Sequence, residues 1–358
     1  MDVQFPTLLP EIIFHILLLL PVHSLFRCKS VCKDWYKLIT NETFVKAHLA
    51  KKNKCLFYKK KDVLHTFSVN ELLLHNPMSK TSINYPLIVD DFARLVGSAN
   101  GLLCIVQLQG ISIYNPTTRI CNRVYGGFVS PVRHYEVCYG FGYESHTDDY
   151  KVVAVCKTNN KVKVYSLKTG IWKKVTDFPD ANLLQDGLFL DGFIYWLDFL
   201  PNNLPNIVSF DLLKETYNQV TQPPYHEGEK MLDLGVLEDR LCIFCSYASF
   251  TNIWVLDGND SWRNSLFIMY PQDHAGWDRF CQTYCISNDG KILLRFAYRI
   301  CIYDLNNSSL TFVNDFDDCQ WVCSFDESLV SPIGPGLRYR LRSWKVKSRM
   351  GDGRSIAI

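Results

Sequence analysis

The chain has 358 residues, 47% hydrophobic and 14% aromatic, with a formal net charge of +2. That suits one large and one small domain with well-buried cores, and the near-neutral balance gives no general attraction to nucleic acid or an acidic membrane. Fourteen cysteines, about 4% of the chain, fall below the disulfide-dense range and lie in apolar runs, so free buried thiols in a reducing compartment are expected.

Residues 1–50 read as a small helical unit. Pro10 and Glu11 suit a first helical turn, with Thr7 as its cap. Pro21 stops that helix by clashing with the preceding turn and removing a hydrogen bond. A second short helix carries Leu25, Phe26 and Cys28. A third carries Cys32, Trp35, Leu38 and Ile39, with Lys33, Asp34 and Lys37 left for water. Asn41 would cap a last helix through Phe44, Val45 and Leu49. The run Ile12 to Leu20 is far shorter than the roughly 20 residues of a membrane span, and MDVQFP has no basic leader region. A soluble protein of the cytosol or nucleus is expected. The unit is too small for a core of its own and too apolar to stay uncovered, which marks it as a docking surface.

From residue 54 the pattern becomes short runs of Val, Ile, Tyr, Phe and Leu between turn residues. One turn series is Asn100-Gly101, Asp148-Asp149, Asp191-Gly192, Glu238-Asp239 and Asp289-Gly290. A second is Thr117, Lys168, Lys214, Gly258 and Asn306. Both recur about every 45–50 residues, the period of a kelch-like β-propeller blade of four short strands. The strands between them share a form: ISIYNPTTR (111–119), VKVYSLKTGIW (162–172), IVSFDLLKETY (207–217), IWVLDGNDSW (253–262) and ICIYDLNNSSL (300–310). Trp172 and Trp262 follow blade turns and read as core. One period earlier, residues 55–74 form a first blade turning near Asn70. WVCSFDESLV (321–330) would complete that blade and close a six-bladed ring, with five or seven blades as the alternatives because the end repeats are degenerate. Residues 336–358 are basic and read as a tail, solubilising in the first instance, with nucleic-acid contact or nuclear import as the alternatives.

The spacing Leu9-Pro10, Ile16-Leu17, Leu20-Pro21, Leu25, Val31-Cys32-Lys33 and Trp35 resembles the F-box. The strings GSANGLLCI (97–105), IYNPTTR (113–119), YGFGYESHTDDYKVVAV (139–155), VYSLKTGIWKKV (164–175) and DESLVSP (326–332) resemble the F-box-associated domain of plant proteins. Leu19 stands where many members carry Arg, His23 where Lys is common, and Ile120-Cys121-Asn122-Arg123-Val124 replaces the usual Leu-Pro.

The resemblance implies an α+β multidomain chain: a three-helix F-box over 1–50, an all-β six-bladed propeller over 54–332 and the basic tail. It further implies the substrate receptor of an SCF-type ubiquitin ligase. The partners would be a Skp1-like adaptor, through it a cullin and a RING subunit, and an unidentified protein substrate. No cofactor or metal is called for, and neither membrane nor nucleic acid is a required partner. Candidate adaptor contacts are Leu9, Pro10, Ile13, Leu17, Leu20, Pro21, Val22, Leu25, Val31, Cys32 and Trp35, some of which must instead hold the helices together. Candidate substrate contacts combine aromatic and charged loop residues: Arg133, His134, Tyr135, Tyr225, His226, His274, Trp277 and Arg279. The runner-up is a Skp1-binding scaffold acting outside ubiquitylation. Catalytic readings are weaker. Cys242 and Cys245 have CxxC spacing, but in a strand they face opposite sides, and Asp148-Asp149 suits a solvated turn better than a metal site.

Overall fold

The computed structural model describes residues 8–60, 63–73, 81–83, 93–128, 136–179, 182–199, 205–226, 228, 231–258, 260–270, 281–286, 290–296, 299–313 and 319–334. Among the described residues, the first fifty positions form four helices, the last being the Asn41-capped one that the residues predicted beyond the three the motif implied: α1 (Pro10–Leu19), α2 (Val22–Cys28), α3 (Lys33–Thr40) and α4 (Glu42–Leu49). Pro10 occupies the first turn of α1, but the cap position is Leu9, without a side-chain hydrogen bond; Thr7 lies outside the described residues. Leu20 ends α1 in extended geometry, and Pro21 caps α2. The Cys32 thiol accepts from the Trp35 amide to start α3, and Asn41 Oδ1 accepts from the Thr43 amide to start α4. The fourth helix follows from that Asn cap: its side-chain oxygen pairs an amide that no helical carbonyl can reach.

The remainder is six four-stranded antiparallel sheets. Blade 2 is β4 (Arg94–Ala99), β5 (Leu102–Gln107), β6 (Gly110–Asn115) and β7 (Ile120–Val124); blade 3 is β8 (Val137–Glu144), β9 (Asp149–Cys156), β10 (Val162–Ser166) and β11 (Ile171–Lys174). Blade 4 is β12 (Leu188–Leu190), β13 (Phe193–Phe199), β14 (Pro205–Asp211) and β15 (Tyr217–Val220). Blade 5 is β16 (Met231–Leu237), β17 (Arg240–Ser246), β18 (Phe250–Leu256) and β19 (Trp262–Met269); blade 6 is β20 (Cys281–Ile286), β21 (Lys291–Phe296), β22 (Arg299–Asp304) and β23 (Ser309–Phe312). Blade 1 joins the two ends of the domain. β24 (Cys319–Asp326) pairs with β1 (Lys54–Lys60), followed by β2 (Val63–Ser68) and β3 (Thr81–Ile83). Where a simple turn near Asn70 was expected, a one-turn helix, α5 (Val69–Leu73), buries Val69, Leu72 and Leu73.

Among the described residues, both turn series fall at turns between strands, and the first has left-handed backbone. Asn100, Asp148, Asp191, Glu238 and Asp239 all adopt positive φ, as do Gly101, Gly192 and Gly290. This left-handed backbone is what selects Asn, Asp and Gly at tight hairpins. Six apolar clusters lie between adjacent blades, such as Tyr139, Phe141 and Val152 with Leu102 and Ile113 between blades 2 and 3. Each sheet is therefore covered on both faces, which explains the nearly continuous burial of β5, β9 and β17. Cys242 and Cys245 are both fully buried and belong to clusters on opposite sides of blade 5.

The segment after β24 runs as a strap over the ring. Buried Asn115, at the end of β6, donates its amide to the Ser328 and Val330 carbonyls at 3.1 and 2.8 Å and to Ser328 Oγ at 3.2 Å. Its Oδ1 accepts from the Thr117 and Thr118 amides. A Cβ on Gly101, at φ +80°, would collide with Ser328. Three strings that carry the family resemblance thus meet at one knot.

Near the axis, Gly140 on β8 bridges Gly187 in parallel, and Gly187 N donates to the Tyr139 carbonyl at 2.6 Å. A Cβ on Gly140 would strike Ile194 and Trp196, so the glycine allows the close approach. This brings Asp186 against Arg94 at 3.1 Å and lets Gln185 donate to Asp233 at 2.5 Å. The blades are also linked at their rims. Trp172 Nε1 donates to the Tyr125 carbonyl (3.0 Å), Tyr217 Oη to Thr176 (3.0 Å) and Trp262 Nε1 to Thr221 (2.7 Å). The two tryptophans expected in the core are half-buried and serve as these rim donors.

Asn115→Ala would leave buried acceptors on the strap unpaired, at about 1–3 kcal/mol each. The expected result is a loss of roughly 3 kcal/mol of stability, read by urea unfolding. Burial raises the Asp233 carboxyl to about 7 against the opposing hydrogen bond from Gln185. A carboxyl so raised stabilises the fold below its unfolded pKa of about 4, and that contribution is lost as pH rises towards 7. Asp233→Asn should therefore gain stability relative to the parent between pH 4 and pH 8, measured by urea unfolding at both.

Candidate functional site

The helical unit is amphipathic in an unusual sense, because its first helix is apolar nearly all round. Leu17 is the buried residue of α1, while Leu9, Ile12, Ile16 and Leu19 are 62%, 44%, 46% and 76% exposed. Their spacing places all four on one helical face. Val31, ahead of α3, and Tyr36 within it are further exposed apolar side chains of the unit. Covering these side chains would remove on the order of 5 kcal/mol of unfavourable hydration.

Leu17, Val22 and Leu25 are packed inside, with Ile39 and Phe44. Ile13, Leu20 and Trp35 are half-buried against that cluster, and Leu9, Pro10, Pro21, Val31 and Cys32 are exposed. Ile12, Ile16, Leu19 and Tyr36 were absent from the sequence-derived set. The i, i+4, i+7 spacing carried the signal for Ile12, Ile16 and Leu19.

The unit sits on the propeller face that carries the first-to-second strand turns. Lys46 pairs with Glu42 at 2.7 Å and with Asp148 at 3.2 Å, and Lys52 pairs with Asp239. Glu42 in particular keeps the Lys46 ammonium protonated above its ordinary range. Burial draws the Asp148 carboxyl up, but hydrogen bonds from Tyr143 and Lys46 outweigh it and hold the carboxyl below its ordinary value. These pairs are exposed, so each contributes about 0–1 kcal/mol. Asn53 and Glu327 exchange a backbone and a side-chain hydrogen bond at the junction.

Antiparallel blades put the second-to-third strand turns and the blade-to-blade links on the opposite face. Tyr225 and His226 lie in such a link, between β15 and β16. Tyr225 donates to Gln222 at 2.6 Å. Exposed His226 meets Tyr247 and Phe250 edge-on. Phe250 stacks on Tyr247 and Phe267 at 4.7 and 5.0 Å, and Phe267 and Met269 are half exposed. Sequence reading missed Tyr247, Phe250 and Phe267, because the ladder joins three strands. Arg133, His134, Tyr135, His274, Trp277 and Arg279 lie outside the described residues.

A helical unit with a bare apolar face is fixed to a closed ring that presents a second surface on its opposite side. An F-box domain model matches residues 6–46, and an F-box associated beta propeller domain model matches residues 53–314. Two Arabidopsis thaliana relatives are 26% identical: the F-box/kelch-repeat protein At3g23880, over 90% of this chain and 95% of its own length, and the F-box protein CPR1, over 84% and 80%. The chain belongs to the F-box proteins with an F-box-associated β-propeller domain. Proteins of this kind are typically non-catalytic adaptors, and F-box proteins generally act as SCF substrate receptors that bind Skp1.

Replacing Leu19 with Arg should leave stability within about 0.5 kcal/mol of the parent, as for other surface changes. Thermal unfolding checks this, and a larger loss would mean that α1 is covered by its own chain.

Proposed function

We propose that this chain is the target-recognition subunit of an SCF-type ubiquitin ligase, working in the cytosol or nucleus. Residues 1–50 dock on a Skp1-like adaptor, which brings the cullin and RING subunits. The propeller, residues 54–332, holds a protein target for ubiquitylation and degradation. The observation that carries this reading is the uncovered stripe Leu9, Ile12, Ile16 and Leu19. With Pro10, Pro21, Val31, Cys32 and Tyr36, it forms the adaptor contact.

Chemistry in this reading belongs to the recruited enzymes. The receptor contributes proximity: a target held beside a charged ubiquitin carrier reacts at a high effective concentration. The helices occupy the face of the first-to-second strand turns, so the target takes the opposite face, where His226, Phe250 and Phe267 cluster. Aromatic side chains suit that task because they bury large areas while losing little rotamer freedom.

Co-purification with tagged full-length chain tests the proposal. The parent should recover both adaptor and cullin; adaptor without cullin would point to a scaffold outside ubiquitylation. The double variant Ile16→Asp with Leu19→Asp should weaken adaptor binding by about 30-fold or more, the scale of losing a binding hot spot. Its melting temperature should stay that of the parent.

A further inference from the structure

The helical unit spans roughly 40 residues, the size below which a chain usually needs outside support to stay folded. Among the described residues, its own fully buried apolar side chains are Leu17, Val22, Leu25, Ile39 and Phe44. A sixth member of that cluster is Leu329, from the far end of the chain. Leu329 is 8% exposed. It lies between Ser328 and Val330, the two residues that Asn115 grips. Its position is therefore set by the propeller, while its side chain completes the helices.

We infer that Leu329 is a positioning residue for the adaptor-docking surface: the propeller strap supplies the missing side chain of the helical core and fixes the exposed face of α1 relative to the ring. The physical case rests on which forces hold the junction. The Lys46–Asp148 and Lys52–Asp239 pairs are exposed and weak. Removing most of a buried leucine, in contrast, typically costs several times more than breaking such a pair. Leu17 stands on the one buried line of α1, so a core loosened at Leu329 frees the helix that bears Ile12, Ile16 and Leu19. The His48 ring, also buried, meets the Leu20 carbonyl at 2.9 Å and stacks on Phe44. The end of α1 thus depends on the same cluster. The adaptor part of this inference rests on the function proposed above; the coupling between strap and helices does not.

The test uses the full-length chain with Leu329→Ala, Leu329→Val and Leu329→Met. Hydrogen exchange is read first without any partner. Leu329→Ala should speed amide exchange in α1, α2 and α4 about tenfold or more, leaving β9, β13 and β17 at parental rates. Leu329→Val should show the same pattern more weakly, which keeps the test readable if the alanine variant does not fold. Leu329→Met, close in volume, should restore protection. Affinity for purified Skp1-like adaptor should fall by a similar factor in the alanine variant and recover with methionine. Helical exchange at the parental rate in the alanine and valine variants would overturn the inference. Equal acceleration of helices and propeller strands would also overturn it, since Leu329 would then serve only ring closure. A parental chain that ignores the adaptor would sink the ligase reading, and the exchange result would still decide the coupling.

Discussion

A ring of blades is only as sound as its joint, and here the joint turns on the buried carboxamide of Asn115. Its nitrogen reaches three acceptors on the strap, and its oxygen takes two amides of its own turn. The Asn115 side chain and its partner Ser328 are shut off from water, where an unpaired polar group is costly and a paired one is directional. β24 brings the strap to this place by pairing with β1 along its length. Without that seam, the apolar faces of blades 1 and 6 would lack one wall of their shared core.

Much of this architecture was legible in the chain. The turn series could be read because left-handed backbone favours few residue types, and Asn100-Gly101 and Asp191-Gly192 carry that demand in two letters. Ring closure by residues 321–330 was visible because one blade was a strand short. The third helix was readable from Trp35, Leu38 and Ile39. Other features left no local trace. Trp172, Tyr217 and Trp262 look like ordinary strand aromatics until their donor atoms are seen to reach a neighbouring blade. Leu329 reads as half of an ordinary Leu-Val pair after a strand, and its partners in the helices lie some three hundred positions earlier. The one-turn helix α5 was hidden as well, since Val69, Leu72 and Leu73 fit a strand as readily as a helix in so short a run.

The candidate surfaces divide in the same way. On α1, the sequence marked an almost wholly apolar helix but could not sort its members into covered and bare; packing by α2, α3 and α4 makes that choice. On the propeller, the link carrying Tyr225 and His226 was found as an aromatic and polar loop. Its continuation through Tyr247, Phe250 and Phe267 depends on how β17, β18 and β19 lie side by side. The opposed placement of the two surfaces follows from strand count alone. Four antiparallel strands per blade send alternate connections to alternate faces, and the helices enter where β1 begins.

The strap also bears on the order of events at the ribosome. The helices are made before the side chain that fills their centre. At about 5–20 residues per second, the interval is roughly a quarter of a minute to a minute. During that time a nascent chain carries its front helices with an unfilled core. A chain cut short before Leu329 would carry the helices without the leucine that joins their core.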